Sequence, residues 1–126
     1  MSKILLSIKP EYAHKILEDT KKHEFRKHLP KKQIEKIIIY STAPDRCVIG
    51  EVQVDDTLIG SPSAVWEKSK KNAGISRDKY REYFKGCKNA VAFCLSNPIV
   101  YENRISLSDM GIDFYPQSLF IVNPSL

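Results

Sequence analysis

The stretch "LLSIKPEYAHKILEDTKKHEFRK", residues 5–27, decides how the chain is read. It continues "KILLSI" (3–8), in which Ile4, Leu6 and Ile8 alternate on one side of an extended chain, the period-two signature of a strand. Pro10 then stands at a natural first helical position, and Ala13, Ile16 and Leu17 recur at helical spacing, which predicts a short helix over residues 10–19. "HEFRKHL" (23–29) returns to extended chain and is bounded by Pro30. The unit is strand, helix, turn, strand.

Working outward, "KIIIYST" (36–42) and "CVIGEVQVDDTL" (47–58) predict two further strands around the turn-rich "APDR". In the second, Val48, Gly50, Val52 and Val54 are set against Ile49, Glu51 and Gln53, so a half-buried strand is expected. Ser61 before Pro62 reads as an N-cap with proline at N1, launching a helix to about residue 71. Gly74 breaks it, and Ser76 caps a second helix carrying Tyr80, Tyr83 and Phe84 at i, i+3, i+4, ended by Gly86. "NAVAFCLSN" (89–97) and "QSLFIV" (117–122) complete the strand set. The fold expected is a single α+β domain over residues 1–126, its five or six mostly antiparallel strands wrapped into a small barrel that leaves no long free edge.

With 126 residues, 42% of them hydrophobic, the chain can bury one core and has no room for two ordinary domains. Its longest apolar runs, "KIIIY" and "NAVAFCL", fall far short of the roughly 18 residues a spanning helix needs, and the N-terminus has no basic-then-apolar signal segment. A cytoplasmic protein with no membrane association is expected. Cys47, Cys87 and Cys94 have neither C-x-x-C spacing nor a histidine placed to complete a zinc site, so they read as buried thiols, with no metal or cofactor implied. Nothing in the sequence speaks to oligomeric state.

The formal charge is +5, and residues 21–32 carry all of the excess: Lys21, Lys22, Arg26, Lys27, Lys31 and Lys32 against Glu24 alone. Charge gathered in this way attracts phosphates, although a lysine run can equally be a solvated face. The helix pair over residues 61–86 has the outline of a helix-turn-helix with Arg77, Lys79, Arg81 and Lys85 on its second helix. Asp78 and Glu82 offset much of that charge, and an α-hairpin capping a barrel end accounts for the pattern. Trp66 reads as a core plug; one face exposed in a cleft would make it a base-stacking platform instead.

Glu24 is the anomaly of the basic window. If "HEFRK" is a strand, Phe25 faces the core while Glu24 and Arg26 share the polar face. Nearby Arg26 and Lys21 favour the charged carboxylate, and Glu24 in turn can fix the guanidinium fork. A carboxylate also accepts from an exocyclic amine or a 2′-hydroxyl, which phosphate-binding lysines cannot do. The alternative is a structural ion pair at a barrel mouth.

Read as a unit, residues 5–27 resemble the signature of the ASCH domain, a branch of the PUA-like barrels, in which an "SIKPEYA" type start leads to a turn of pattern G-x-K-x-x-E-x-R. Lys21, Glu24 and Arg26 occupy the motif positions, and Asp19 stands at that of the glycine. "STAP", "VIGEV", "WEKSKKNAGISRDKYREYFKG" and "YPQSLFIV" also look like the family, so the resemblance covers nearly the whole chain. It implies a β-barrel with a helix after the first strand, a helical hairpin insertion, and a cleft lined by the motif charges.

Better-known members of the superfamily bind RNA, ASCH proteins have been proposed as RNA-binding or transcription-associated regulators, and a subset look like small enzymes acting on modified nucleosides or RNA. In those resembling acylated-cytidine amidohydrolases, a threonine nucleophile lies three residues after the motif lysine. Glu24 stands there in this chain, and a carboxylate cannot serve as that acyl acceptor. The leading expectation is therefore a non-enzymatic module for RNA or a nucleotide, with DNA left open and a role in transcription or translation. Lys21 and Arg26 would contact phosphate and Glu24 a base or ribose, with Lys27 and Lys31 adding charge. Lys9, Ser41 and Thr42 would line the same cleft, because "SIKP" and "STAP" end neighbouring strands. The other expectation is a hydrolase or ribonuclease using Lys21 and Glu24 as acid and base.

Overall fold

The computed structural model describes residues 2–111 and 119–122. Its class is α+β. The strands are β1 (Ser2–Ile8), β2 (His23–Arg26), β3 (Ile34–Ser41), β4 (Cys47–Gly60), β5 (Ala90–Ile105) and β6 (Leu119–Val122), and the helices are α1 (Pro10–Leu17), α2 (Pro62–Ser69) and α3 (Arg77–Tyr83). They form one sheet in the order β2-β5-β4-β3-β1-β6, in which β1 runs parallel to β3 and the remaining neighbours are antiparallel. Of the last predicted strand, Gln117 and Ser118 lie outside the described residues.

The expected closed barrel is corrected to an open sheet: among the described residues no ladder joins the edges β2 and β6. β2 is four residues long, and the apolar surface beside it is covered from the helical insertion. Phe25, Ala90 and Ala92 pack there with Val65 of α2 and with Tyr80 and Phe84 from α3 and its C-cap. Burial that barrel closure would provide comes from the α2–α3 hairpin instead.

The first strand behaves as its alternation requires. Ile4, Leu6 and Ile8 join Ile37, Ile39 and Phe93 in the cluster on which α1 packs through Ala13 and Ile16, while Leu5 faces the other way with Ile38, Tyr40 and Val48. The even alternation expected of β4 is interrupted. A register shift between Val48 and Gly50 puts Ile49 into the cluster of Val52 and Val54 and leaves Val48 on the opposite side. A bulge inserts one residue into the strand and so switches the face of each residue beyond it. At Gly50 a side chain would lie 2.5 Å from the Ile99 carbonyl oxygen and 2.7 Å from Leu17, so glycine permits α1 and β5 to close in there.

Capping follows the sequence. The Ser61 side chain accepts from the amide of Ala64 and the Ser76 side chain from that of Lys79, and α2 passes into a 3-10 turn at Lys70–Asn72. β5 runs well past Asn97, the expected end of that strand: with Asn97 at φ 50° it continues through Pro98 to Ile105. Asparagine tolerates this left-handed backbone better than most residues.

Candidate nucleic-acid interface

The turn after α1 places the motif. Glu18 and Asp19 donate their amides back to the carbonyls of His14 and Ile16, and Asp19, at the position of the motif glycine, takes the left-handed φ of 65°. Asp is among the residues that enter this region readily. The Lys21 amide then donates to the Lys15 carbonyl at 3.1 Å, and the Lys22 amide crosses to the carbonyl of Asn72 at 2.8 Å. The motif is thus tied to α1 on one side and to the link between α2 and α3 on the other.

Lys21 is the central surprise, because this lysine is buried, at 2% exposure. Its ammonium donates to the Ala73 carbonyl at 2.6 Å and lies 5.3 and 5.0 Å from the ring centres of Tyr12 and Phe25. Removal from water lowers its pKa from 10.5 to about 8, with the Glu24 carboxylate opposing the shift. Gly74 permits the arrangement. At φ +68°, a side chain there would lie 2.4 Å from both Cβ and Cγ of Lys21.

Glu24 is also buried, and Arg26 grips it from two positions. The guanidinium donates from Nη2 at 2.7 Å and from Nε at 3.1 Å, both to Oε2, and Nη2 also reaches the Ser7 carbonyl at 3.0 Å. Glu24 and Arg26 therefore share a face of β2, as the alternation requires. Phe25, between them, lies 5.0 Å from Tyr80 in an edge-on contact and is 6% exposed.

These residues line a cavity of about 460 Å³ between the end of β1, the first turn of α1, β2 and α3. Lys9, Lys21, Glu24 and Arg26 are brought together here as expected. Sequence reasoning missed the contributions of Tyr12, Lys79, Glu82 and Tyr83 to the same walls. Tyr12 sits inside the quoted motif and could have been found, whereas the α3 residues arrive only through tertiary packing.

Several expected members stand elsewhere. Ser41 is fully buried and donates to Asp45 Oδ2 at 2.7 Å, and that carboxylate also lies 3.0 Å from His14 Nε2. Thr42 donates its amide to the Ile8 carbonyl, so "SIKP" and "STAP" do end side by side, yet neither Ser41 nor Thr42 lines the cavity. Lys31 borders a different hollow with Asp55 and Asp56, and Lys27 lies 4.7 Å over the ring of Tyr83 at the cavity rim. The cavity is consequently not the concentrated basic cleft that the charge run suggested. Its cations Lys9, Lys21, Arg26 and Lys79 stand against Glu11, Glu24 and Glu82, with Lys79 3.7 Å from Glu11. What it offers is apolar and aromatic wall with polar groups of both signs.

The ASCH domain family model matches residues 6–104, and the chain belongs to that family. A curated relative from Zymomonas mobilis, named ASCH domain-containing ribonuclease, is 34% identical over 119 residues, covering 91% of this chain and 80% of its own. The crystal structure of ASCH from Zymomonas mobilis matches with a TM-score of 0.89 at 30% identity, over 98% of this chain and 89% of that one. Part of the large ribosomal subunit protein uL22 of Ureaplasma parvum serovar 3 is 30% identical over 110 residues, 86% of this chain but only 35% of that protein. Among the described residues no helix is long and apolar enough to cross a membrane.

Proposed function

We propose that this chain binds single-stranded RNA by taking one nucleobase into the cavity between β2 and α3. The observation that carries the reading is the buried Glu24 carboxylate, held by Arg26 through Oε2 and set in a cavity with aromatic walls at Tyr12, Phe25 and Tyr83. A flat heterocycle suits such walls, and a carboxylate oxygen accepts from its amine or imino hydrogens. The near balance of charge suits an uncharged base better than a phosphate. Phosphates would instead meet Lys9, Lys27 and Lys79 at the rim. The name of the Zymomonas mobilis relative supports RNA over DNA as the ligand. A role as a regulator in transcription or translation is consistent with such a module.

A second reading, hydrolysis of RNA with Lys21 as acid or base, is favoured by the ribonuclease name of the Zymomonas mobilis relative and by the burial of Lys21, which lowers its pKa to about 8. Glu24, engaged by Arg26, and Lys21, bound to the Ala73 carbonyl, are both committed to partners, which favours binding.

The test is fluorescence anisotropy with labelled trinucleotides of each base, each bearing a 5′-phosphate so that three phosphates are present, alongside gel analysis for cleavage. Binding should weaken with salt at a slope of about −2, from roughly −0.7 for each of three rim cations, and should discriminate among bases. Glu24→Gln should erase the discrimination while leaving the slope unchanged. Unaltered preference in Glu24→Gln would reduce the residue to a structural ion-pair member. Cleavage lost in Lys21→Ala would establish the hydrolytic reading.

A further inference from the structure

The helical insertion holds a second hollow, on the other side of α3 from the first. It measures about 390 Å³ and lies between α2 and α3, with Trp66, Tyr80 and Phe84 as its apolar lining and Arg77 and Arg81 at its edge. Trp66 packs against the buried cluster of Val65, Tyr80 and Phe84, as expected of a core residue, without being enclosed by it. It is half-buried, its ring centre 4.7 Å from that of Tyr80, while Tyr80 is fixed by donating its hydroxyl hydrogen to the Pro62 carbonyl at 2.7 Å. The indole is therefore rigidly seated and still borders open space.

Two arginines and one glutamate line this hollow. Arg77 and Arg81, one turn apart on α3, are exposed, and neither has an ion-pair partner among the described residues. The carboxylate in the lining, Glu67, is engaged by Lys70 at 2.8 Å. An indole beside two exposed guanidinium groups matches a base with its attached phosphate: the ring stacks, and each fork can grip phosphate oxygens.

The two hollows share α3 as their partition. Lys79, Glu82 and Tyr83 face the first, and Arg77, Tyr80, Arg81 and Phe84 face the second. A helix is about 10 Å across with its side chains, a gap that a short length of extended single strand spans. We infer that the groove at Trp66, Arg77 and Arg81 is a second nucleotide subsite, so that a single strand of RNA crosses α3 with one base in each hollow. This deepens the proposed function and rests on it. It also gives the cations of α3 a use that requires no helix-turn-helix.

Trp66 is the chain's one tryptophan, so its fluorescence reports on this groove without labelling. The experiment titrates an RNA trinucleotide and an RNA decamer into the full chain, following Trp66 emission and, separately, anisotropy of labelled strands. The decamer should quench Trp66 and bind more tightly, with a salt slope steeper by about 1.4, from two further phosphate contacts at roughly 0.7 each. Arg77→Ala with Arg81→Ala, both exposed positions that leave the core intact, should remove the quenching and the extra slope while trinucleotide binding persists. A decamer that binds no better than the trinucleotide and leaves Trp66 unquenched overturns the second subsite and spares the first. Quenching by a decamer whose affinity ignores both base identity and Glu24→Gln would uphold the groove and sink the base cavity. Failure of both RNAs to bind removes both.

Discussion

Gly74→Ala tests whether the buried lysine organises the site. The added methyl would sit 2.4 Å from Cβ and Cγ of Lys21 and 2.9 Å from its Cδ. Those atoms are the root of the side chain, not its mobile end, so Lys21 cannot swing aside and the link between α2 and α3 must move. Movement there breaks the 2.6 Å bond from the ammonium to the Ala73 carbonyl and strains the 2.8 Å bond from the Lys22 amide to Asn72.

Two costs result. The left-handed backbone at φ +68° penalises alanine by about 1–2 kcal/mol. Loss of a hydrogen bond to a buried charged group adds about 1.5–3 kcal/mol. The variant should therefore lose ~2.5–5 kcal/mol, read as a lowered urea midpoint at unchanged m-value. Gly86→Ala is the control, because Gly86 has φ +79° and nothing within 4 Å of the position a side chain would take. It bears the backbone cost alone, about 1–2 kcal/mol. Equal losses in the two variants would refute the seating of Lys21 beneath the Gly74 backbone.

Three further outcomes are expected. The folded-state pKa of Lys21, about 8, lies below its ordinary 10.5, so between those values the unfolded chain holds the extra proton and stability should rise with pH. At about 1.4 kcal/mol per unit the gain approaches ~3 kcal/mol, and urea midpoints measured across that range should show it in the parent chain and not in Lys21→Met. Phe25→Ala, which empties a position packed against Tyr80 and Phe84, should cost about 3–5 kcal/mol in the same assay. Asp45 accepts from Ser41 and His14, which hold its pKa below the usual range, so its stabilising contribution is present at neutral pH and lost as pH falls through the lowered value. Asp45→Asn should flatten the acid limb of the stability profile, and an unchanged limb would remove Asp45 from the account of acid sensitivity.

Periodicity and capping are local properties, and where structure depends on them alone the sequence was sufficient. The alternation of Ile4, Leu6 and Ile8, the proline start of α1 and the serine caps of α2 and α3 are all legible because each concerns neighbours within one turn or one strand. The grouping of Lys21, Glu24 and Arg26 was legible for the same reason, since period two puts Glu24 and Arg26 on one face. Three other features depended on contacts distant in sequence. The Val48 to Gly50 register shift arises from β5, 50 residues further on at Val100, and no window on β4 contains it. The burial of Lys21 requires Ala73 and Gly74, brought over by the hairpin; without them the same residue reads as one more solvated lysine. The charge run predicted a basic cleft because counting charges along a chain ignores where each side chain points. Folding sent Lys31 to one hollow and Lys21 to another, and brought Glu11 and Glu82 to face the motif cations, so the sign of the site was decided by tertiary structure alone.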